Sequence, residues 1–277
     1  MIIFSERING MYRDVRAAIN ERNKSVVQEL VKDQVEGGAD VIDVNLGPTK
    51  GDPVENFVWL AQVVHEVTPK PISLDSAKPD LLVQAVPKVK QALPETKLVI
   101  NSCTATADNM GKLVPLAAEH GAGIIGLTMD QEGVPGNVEK RVECGVTFLM
   151  TALEAGLPPD DVYLDPIILP VNVAPKQPLC VMEAIRQLAM ASDPPPHFII
   201  GLSNVSQRCL MNRMLNRNYL VMCIAAGLDA AIMDAADQDL VEAAITAEVL
   251  LEKELYSDDY IKAWRIQKGL GGARAPQ

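Results

Sequence analysis

Short apolar runs recur along this chain, and each closes on a side chain able to hydrogen-bond. Ile2-Ile3-Phe4 ends in Ser5-Glu6, Ala39-Asp40-Val41-Ile42 in Asp43 and then Asn45, Pro71-Ile72-Ser73-Leu74 in Asp75, and Lys97-Leu98-Val99-Ile100 in Asn101. Ile124-Ile125-Gly126-Leu127 leads to Thr128 and Asp130, and Val162-Tyr163-Leu164 to Asp165-Pro166. Phe198-Ile199-Ile200-Gly201-Leu202 leads to Ser203-Asn204, and Ala230-Ala231-Ile232-Met233 to Asp234. Runs of this length without helical spacing read as buried strands. They recur about every 25 to 40 residues, the length of one βα unit, and eight such units predict an α/β fold, a single-domain (β/α)8 TIM barrel.

Between the runs the spacing turns helical. Val26, Val27, Leu30, Val31 and Val35 share one face of a helix over Ser25 to Glu36, which Gly37-Gly38 stops. Further helices are expected near Val54 to Val67, from Lys78 to Ala92, from Asn109 as N-cap to His120, and from Asn137 to Gly156. Arg213 to Ala226 and Gln238 to Leu255 follow, with a further helix over Ser257 to Lys268. Arg7-Ile8-Asn9-Gly10-Met11 reads as a loop, and the Pro- and Val-rich Ile167 to Gln177 as a stiff one. We expect one barrel domain over residues 1–268 and a flexible C-terminal tail over 269–277.

Composition narrows the partners. A chain of 277 residues with 48% hydrophobic content can bury one large core. Its net charge of −11 argues against nucleic acid or an anionic membrane surface. Cys103, Cys144, Cys180, Cys209 and Cys223 form no C-x-x-C pair and suggest neither a disulfide framework nor zinc. With no signal-peptide pattern and no spanning apolar run, the expected setting is the cytoplasm.

In a barrel the strand ends converge on one rim, so Glu6, Asp43, Asn45, Asp75, Asn101, Asp165, Asn204 and Asp234 should face a common cavity. His65 and His120 fall in helices and His197 precedes its strand, which leaves imidazole chemistry without a group in place. A ring of carboxylates and amides suits a flat heterocycle with adjacent N–H donors, because a carboxylate accepts from two of them while Asn both donates and accepts. The other use of such a ring is a divalent metal. Asp234 and Asp43 are equally explained as caps, and Glu6 as an ion pair with Arg7. Asp75, Asn101, Asp165 and Asn204 taken together are not. The cysteines read as buried small residues, with Cys103, two past Asn101, the one nearest the chemistry.

Taken in order, Ser5-Glu6-Arg7-Ile8-Asn9-Gly10-Met11, Asp43-Val44-Asn45-Leu46-Gly47-Pro48, Leu74-Asp75-Ser76, Ile100-Asn101-Ser102, Gly126-Leu127-Thr128-Met129, Leu164-Asp165-Pro166 and Gly201-Leu202-Ser203-Asn204-Val205-Ser206-Gln207 resemble the methyltetrahydrofolate:corrinoid protein methyltransferases. The likeness runs up to about Trp264. It implies a pterin-binding barrel, a homodimer, tetrahydrofolate or methyltetrahydrofolate as substrate, no cofactor held permanently by the chain, and a corrinoid carried by a separate partner protein. It also implies that Asp75, Asn101 and Asp165 hydrogen-bond the pterin, and that Asn204 stands near N5, with Gly201, Ser203 and Gln207 in the same loop. Asp75 or Asp43 would end a proton relay, and Asp43 and Glu6 would line the same site. The chain has no D-x-H-x-x-G corrinoid motif. Its Leu210-Met211-Asn212-Arg213 loop and its tail past Trp264 depart from the acetogen enzyme.

Three rivals stand beside this reading. Dihydropteroate synthase shares the pterin barrel, but it carries an Asn-x-Thr-x-Asp-Ser-Phe loop after the first strand and basic residues at the last two strands for a diphosphate, where this chain has Glu6-Arg7-Ile8-Asn9-Gly10 and Asp234. A metal-assisted lyase or isomerase would use Asp43, Asp75 and Asp165 as ligands. A non-catalytic folate binder would bind without turnover.

Overall fold

The computed structural model describes residues 1–253. Eight parallel strands close into a barrel in sequence order: β1 (Ile2–Asn9), β2 (Val41–Asn45), β3 (Ile72–Asp75), β4 (Leu98–Thr104), β5 (Gly123–Leu127), β6 (Val162–Asp165), β7 (His197–Gly201) and β8 (Ala230–Met233), with β8 pairing back onto β1. Around them lie α1 (Arg13–Glu21), α2 (Lys24–Glu36), α3 (Pro53–His65), α4 (Pro79–Ala92), α5 (Ala107–Glu119), α6 (Val138–Glu154), α7 (Gln177–Leu188), α8 (Asn212–Ala226) and α9 (Gln238–Leu250). The expected (β/α)8 architecture is therefore the observed one. No helix among the described residues is long and apolar enough to cross a membrane.

Several boundaries differ from those read in the sequence. β1 continues through Arg7 and Ile8 to Asn9, with a register shift between Ser5 and Ile8, so the stretch taken as a loop is largely strand. A bulge keeps Ile8 fully buried, and the alternation of apolar positions is masked by the extra residue. Helices α1 and α7 were not foreseen. α5 is capped by Thr106, whose hydroxyl accepts from the Asn109 N–H, while Asn109 Nδ2 donates to Thr104 Oγ1; Asn109 is the residue served by the cap. α9 stops at Leu250, short of Leu255. The expected Ser257 to Lys268 helix and the C-terminal tail lie outside the described residues.

Two apolar layers result. The outer one packs the helices on the barrel, with Ile42, Leu74, Leu98, Ile100, Leu164 and Phe198 facing them. The inner one fills the lower barrel with Phe4, Val41, Val99, Ile125, Tyr163, Ile199 and Ala230, where the Phe4 and Tyr163 rings meet edge to face at 5.2 Å. Side chains two apart on a strand share a face. Stepping upward from the inner layer, Phe4 leads to Glu6, Val41 to Asp43 and Asn45, Val99 to Asn101, Tyr163 to Asp165, and Ile199 to Gly201. Strand parity alone thus aims the polar ends into the barrel mouth.

The loops above β1 and β2 touch backbone to backbone. A Cβ on Gly10 would lie 1.8 Å from the Leu46 carbonyl oxygen, and Gly47, at φ +56°, faces Gly10 in turn. The Gly10 N–H donates to the Asn45 carbonyl at 2.8 Å. Gly10→Ala cannot be relieved by a rotamer change, and it is expected to cost about 3 kcal/mol. A thermal melt followed by circular dichroism should show this as a fall of roughly 5–10 °C. An unchanged melting temperature would mean that the two loops can separate freely.

Candidate functional site

The register sets the first cluster. Asn45, Asp75 and Asn101 are successive partners across β2, β3 and β4. Asn45 Nδ2 donates to Asp75 Oδ2 at 2.7 Å, and Asn45 Oδ1 accepts the Gly47 N–H at 2.8 Å, which fixes the way the Asn45 amide points. One layer deeper, Asn101 Nδ2 donates to Asp43 Oδ1 at 3.0 Å. Asp43 is buried and does not cap the following helix: it accepts from the amide of Asn101, two strands away across the barrel interior, and Asp52 caps that helix.

Burial drives the electrostatics. Loss of water, and then the charge of Asp75, push Asp43 well above the usual carboxylate range, against the pull of the Ser73 hydroxyl and the Asn101 amide beside it. Asp75 is raised by burial and drawn back by Asn45. Both carboxylates are thus shifted toward the protonated form, and the charge of Asp75 adds to the shift of Asp43.

Asp165 stands at the end of β6, opposite Leu127 on β5. Its Oδ1 accepts the Ile167 N–H at 2.7 Å, and Ile167 itself sits at φ +58°, a conformation costly for a β-branched residue. Burial lifts Asp165 to about 7, while the N–H of Ile167, the charge of Arg141 and the N–H of Gly201 lower it from where burial alone would leave it. Glu6 is likewise lifted to about 7, chiefly by burial, with the Ser203 hydroxyl donating to its Oε2 at 3.1 Å. Arg7 pairs with Asp14, so the local Glu6–Arg7 ion pair is not formed.

Asn204 and Ser203 sit in the short 3-10 helix over Leu202–Ser206 that leaves β7, both exposed, and Gln207 follows it with its N–H on the Asn204 carbonyl. A Cβ at Gly201 would lie 2.9 Å from Asn204 Nδ2, so the bare glycine gives that amide its place above the strand end. Among the described residues the Asn204 side chain makes no hydrogen bond. Asp234 Oδ1 takes Gln34 Nε2 at 3.1 Å and the Ala236 N–H at 3.0 Å, tying β8 to α2, while its charge still reaches Glu6 and adds to the rise there.

The remaining candidates fall out as follows. Cys103 is fully buried and its thiol is pushed up to about 12. His197 opens β7 and bonds Asp229 at 2.7 Å, at the opposite end of the barrel from the carboxylates. Among the described residues no three His, Cys, Asp or Glu gather as a metal would need. A cleft of about 1080 Å3 opens outward from Asn45 and Asp75, past Pro48, Lys78 and Gln84. Another, of about 980 Å3, lies among Arg22, Trp59, Gln62 and Lys88 and holds none of the strand-end groups.

Sequence reasoning missed Arg141. It lies on α6, is fully buried, and bonds the loop after Asp165. A signal was present: Arg141, Cys144, Gly145 and Phe148 share one apolar helix face, where an Arg is out of place.

The raised carboxylates carry a pH signature. Between their unfolded values near 4 and the folded value of about 7, Glu6 and Asp165 hold protons that the unfolded chain has released. Their contribution to stability is fully present below about pH 4 and is lost as the pH rises to about 7. The urea midpoint is therefore expected to be higher at about pH 5.5 than at about pH 8, and the difference should shrink in Glu6→Gln. An identical difference in that variant would exclude Glu6 as a contributor.

The class of protein is set by a parallel eight-stranded barrel whose mouth carries Asp43, Asn101 and Asp165 buried and Glu6, Asn45 and Asp75 half-buried. Residues 14–234 match the family model for pterin binding enzymes, and the chain belongs to that family. It is 28% identical over 273 residues to the methylcorrinoid:tetrahydrofolate methyltransferase of Eubacterium limosum, covering 97% of each chain. It is 27% identical over 251 residues to methionine synthase of Mycobacterium leprae, with 85% of this chain covering 20% of that much longer protein. Among solved structures, a Yersinia pestis dihydropteroate synthase with a pterine-sulfa conjugate superposes with a TM-score of 0.64 at 13% identity, covering 91% of this chain and 94% of that one. At that identity the likeness is one of fold.

Proposed function

We propose that this chain moves a methyl group between N5 of tetrahydrofolate and the cobalt of a corrinoid held by a separate protein. What supports the reading is that Asp75, Asn101 and Asp165 all stand at the same end of the barrel strands, in a pterin binding enzyme whose relative across 97% of the chain is named for this transfer. The Mycobacterium leprae relative, a methionine synthase, fits the same reading.

In this reading Asp165 and Asp75 accept from the amino and ring N–H groups of the pterin, and Asn101 supplies the complementary amide. When the methyl leaves, the N5–CH3 bond breaks, the electron pair stays on nitrogen, and N5 must gain a hydrogen bond or a proton. Asn204 donates from Nδ2 without titrating. The Asp43 and Asp75 pair, both raised by burial, supplies the proton that N5 takes up. In the opposite direction the same groups receive it. Glu6, Ser203, Gly201 and Gln207 complete the wall around N5. The homodimer belongs to the same reading and rests on the family resemblance, while the cytoplasmic setting is proposed from the five free cysteines.

The test is to mix the protein with methyltetrahydrofolate and free cob(I)alamin and follow the spectrum, then to run methylcobalamin with tetrahydrofolate. Conversion in either direction supports the reading. Folate binding with no conversion in either direction, and none with any corrinoid protein supplied, would leave a binder. Formation of dihydropteroate would point to the synthase, although β8 here ends in Asp234, held by Gln34, where a diphosphate needs a cation.

A further inference from the structure

Among the described residues Arg141 is the largest fully buried side chain. Its Nε donates to the Pro166 carbonyl at 2.7 Å, its Nη2 to the Ile167 carbonyl at 3.2 Å and to Gln177 Oε1, and its Nη1 is buried without a partner among the described residues. Gln177, the first residue of α7, reaches on to the Gly136 carbonyl at 3.4 Å. A buried guanidinium that leaves one nitrogen unpaired is poorly explained as packing, since an apolar residue of similar volume would avoid that desolvation.

The Pro166–Ile167 peptide explains its place. The carbonyl of that one peptide unit accepts from Arg141, and its N–H donates to Asp165 Oδ1 at 2.7 Å. In a trans peptide the two groups point in opposite directions, so the cation behind the loop and the carboxylate in front of it pull on the same plane. A cation on the oxygen strengthens the N–H as a donor. The second bond, from Arg141 Nη2 to the Ile167 carbonyl, holds the chain on the far side of that peptide, with Ile167 at φ +58°.

We propose that Arg141 is a positioning residue for the substrate site: through the Pro166–Ile167 peptide it fixes how Asp165 faces the barrel mouth and keeps it a hydrogen-bond acceptor for the ring. The inference rests on the reading that Asp165 holds the folate head. No other charge competes for this role: Leu127 of β5 and Gly201 of β7 flank Asp165 without charge, and Arg141 is the charged group that acts on it among the described residues. Tyr219 of α8 and Cys180 of α7 lie on the Arg141 side, and burial keeps the Tyr219 phenol protonated.

The experiment is calorimetric titration of methyltetrahydrofolate into wild type, Arg141→Gln and Arg141→Lys between about pH 6 and 9, counted per folded molecule by circular dichroism. In wild type, affinity falls as the pH drops through the Asp165 midpoint. In Arg141→Gln, which keeps a donor but no charge, that midpoint is expected to rise by about 1 pH unit and affinity at pH 7 to fall by about 10-fold, while turnover at saturating substrate stays within a few-fold. Arg141→Lys keeps the charge but loses the fork, so its affinity should fall by about 3- to 10-fold with the midpoint in place. A purely structural role would lower the folded fraction and leave both the midpoint and the per-molecule affinity unchanged, which would overturn the proposal. If Arg141→Gln does not fold, the affinity of Arg141→Lys decides. A wild type that binds no methyltetrahydrofolate would overturn the functional reading itself, a result distinct from wild type that binds with variants that do not differ.

Discussion

Replacing Asn204 with alanine is expected to slow methyl transfer by about 10³-fold while weakening methyltetrahydrofolate binding by no more than about 5-fold. The asymmetry follows from where the amide sits. Asn204 lies in an exposed turn above Gly201 and makes no side-chain hydrogen bond among the described residues, so its loss costs the fold little and leaves no buried partner unpaired. On the proposed reading its worth arises only as negative charge gathers on N5, and an interaction that strengthens only at that point affects turnover more than affinity. Single-turnover transfer to cob(I)alamin measures the first effect and fluorescence titration of the folate the second. Equal turnover in the two proteins would remove Asn204 from the chemistry.

Asp165→Ala should behave in the opposite way, with affinity lower by about 10² to 10³-fold and a smaller change in turnover at saturation. Asp165 is buried, and the N–H groups it would accept from the substrate would otherwise enter a dry site unpaired. Ionisation adds a second, separable signature. With burial lifting the group to about 7, wild-type affinity should decline as the pH falls through that value, because the protonated acid offers one acceptor fewer. Asp165→Asn cannot titrate, so its affinity should be low and flat over the same interval. A pH dependence that survives in Asp165→Asn would have to be reassigned, with Glu6, also lifted to about 7, the next group to test.

Much of this architecture is visible in the chain because parallel barrel strands are buried on both sides and their polar termini are abrupt. Val41 to Asn45 and Val162 to Asp165 needed no tertiary information to be read as strands that end in a site. What the pattern hid has physical causes. The bulge after Ser5 interrupts the alternation of β1, and α7 begins at Gln177-Pro178, where the Pro-rich loop read over Ile167 to Gln177 ends. Arg141 was overlooked because a charged residue in a helix is assigned to solvent by default, yet its partners are carbonyls and an amide from a loop and a helix that come later in the chain. The pairing of Asp43 with Asn101 likewise spans 58 residues, and it follows from strand parity only once the barrel is closed.

The Phe4 and Tyr163 rings, packed with Val41, Val99 and Ile199, fill the barrel below the carboxylates. On the proposed reading the pyrimidine half of the folate rests against this floor, and everything else attached to the ring departs through one door. Alkylating the 2-amino group should therefore abolish recognition outright, whereas lengthening the glutamate chain at the far end should be tolerated, since nothing in the lower barrel has to move to make room for it.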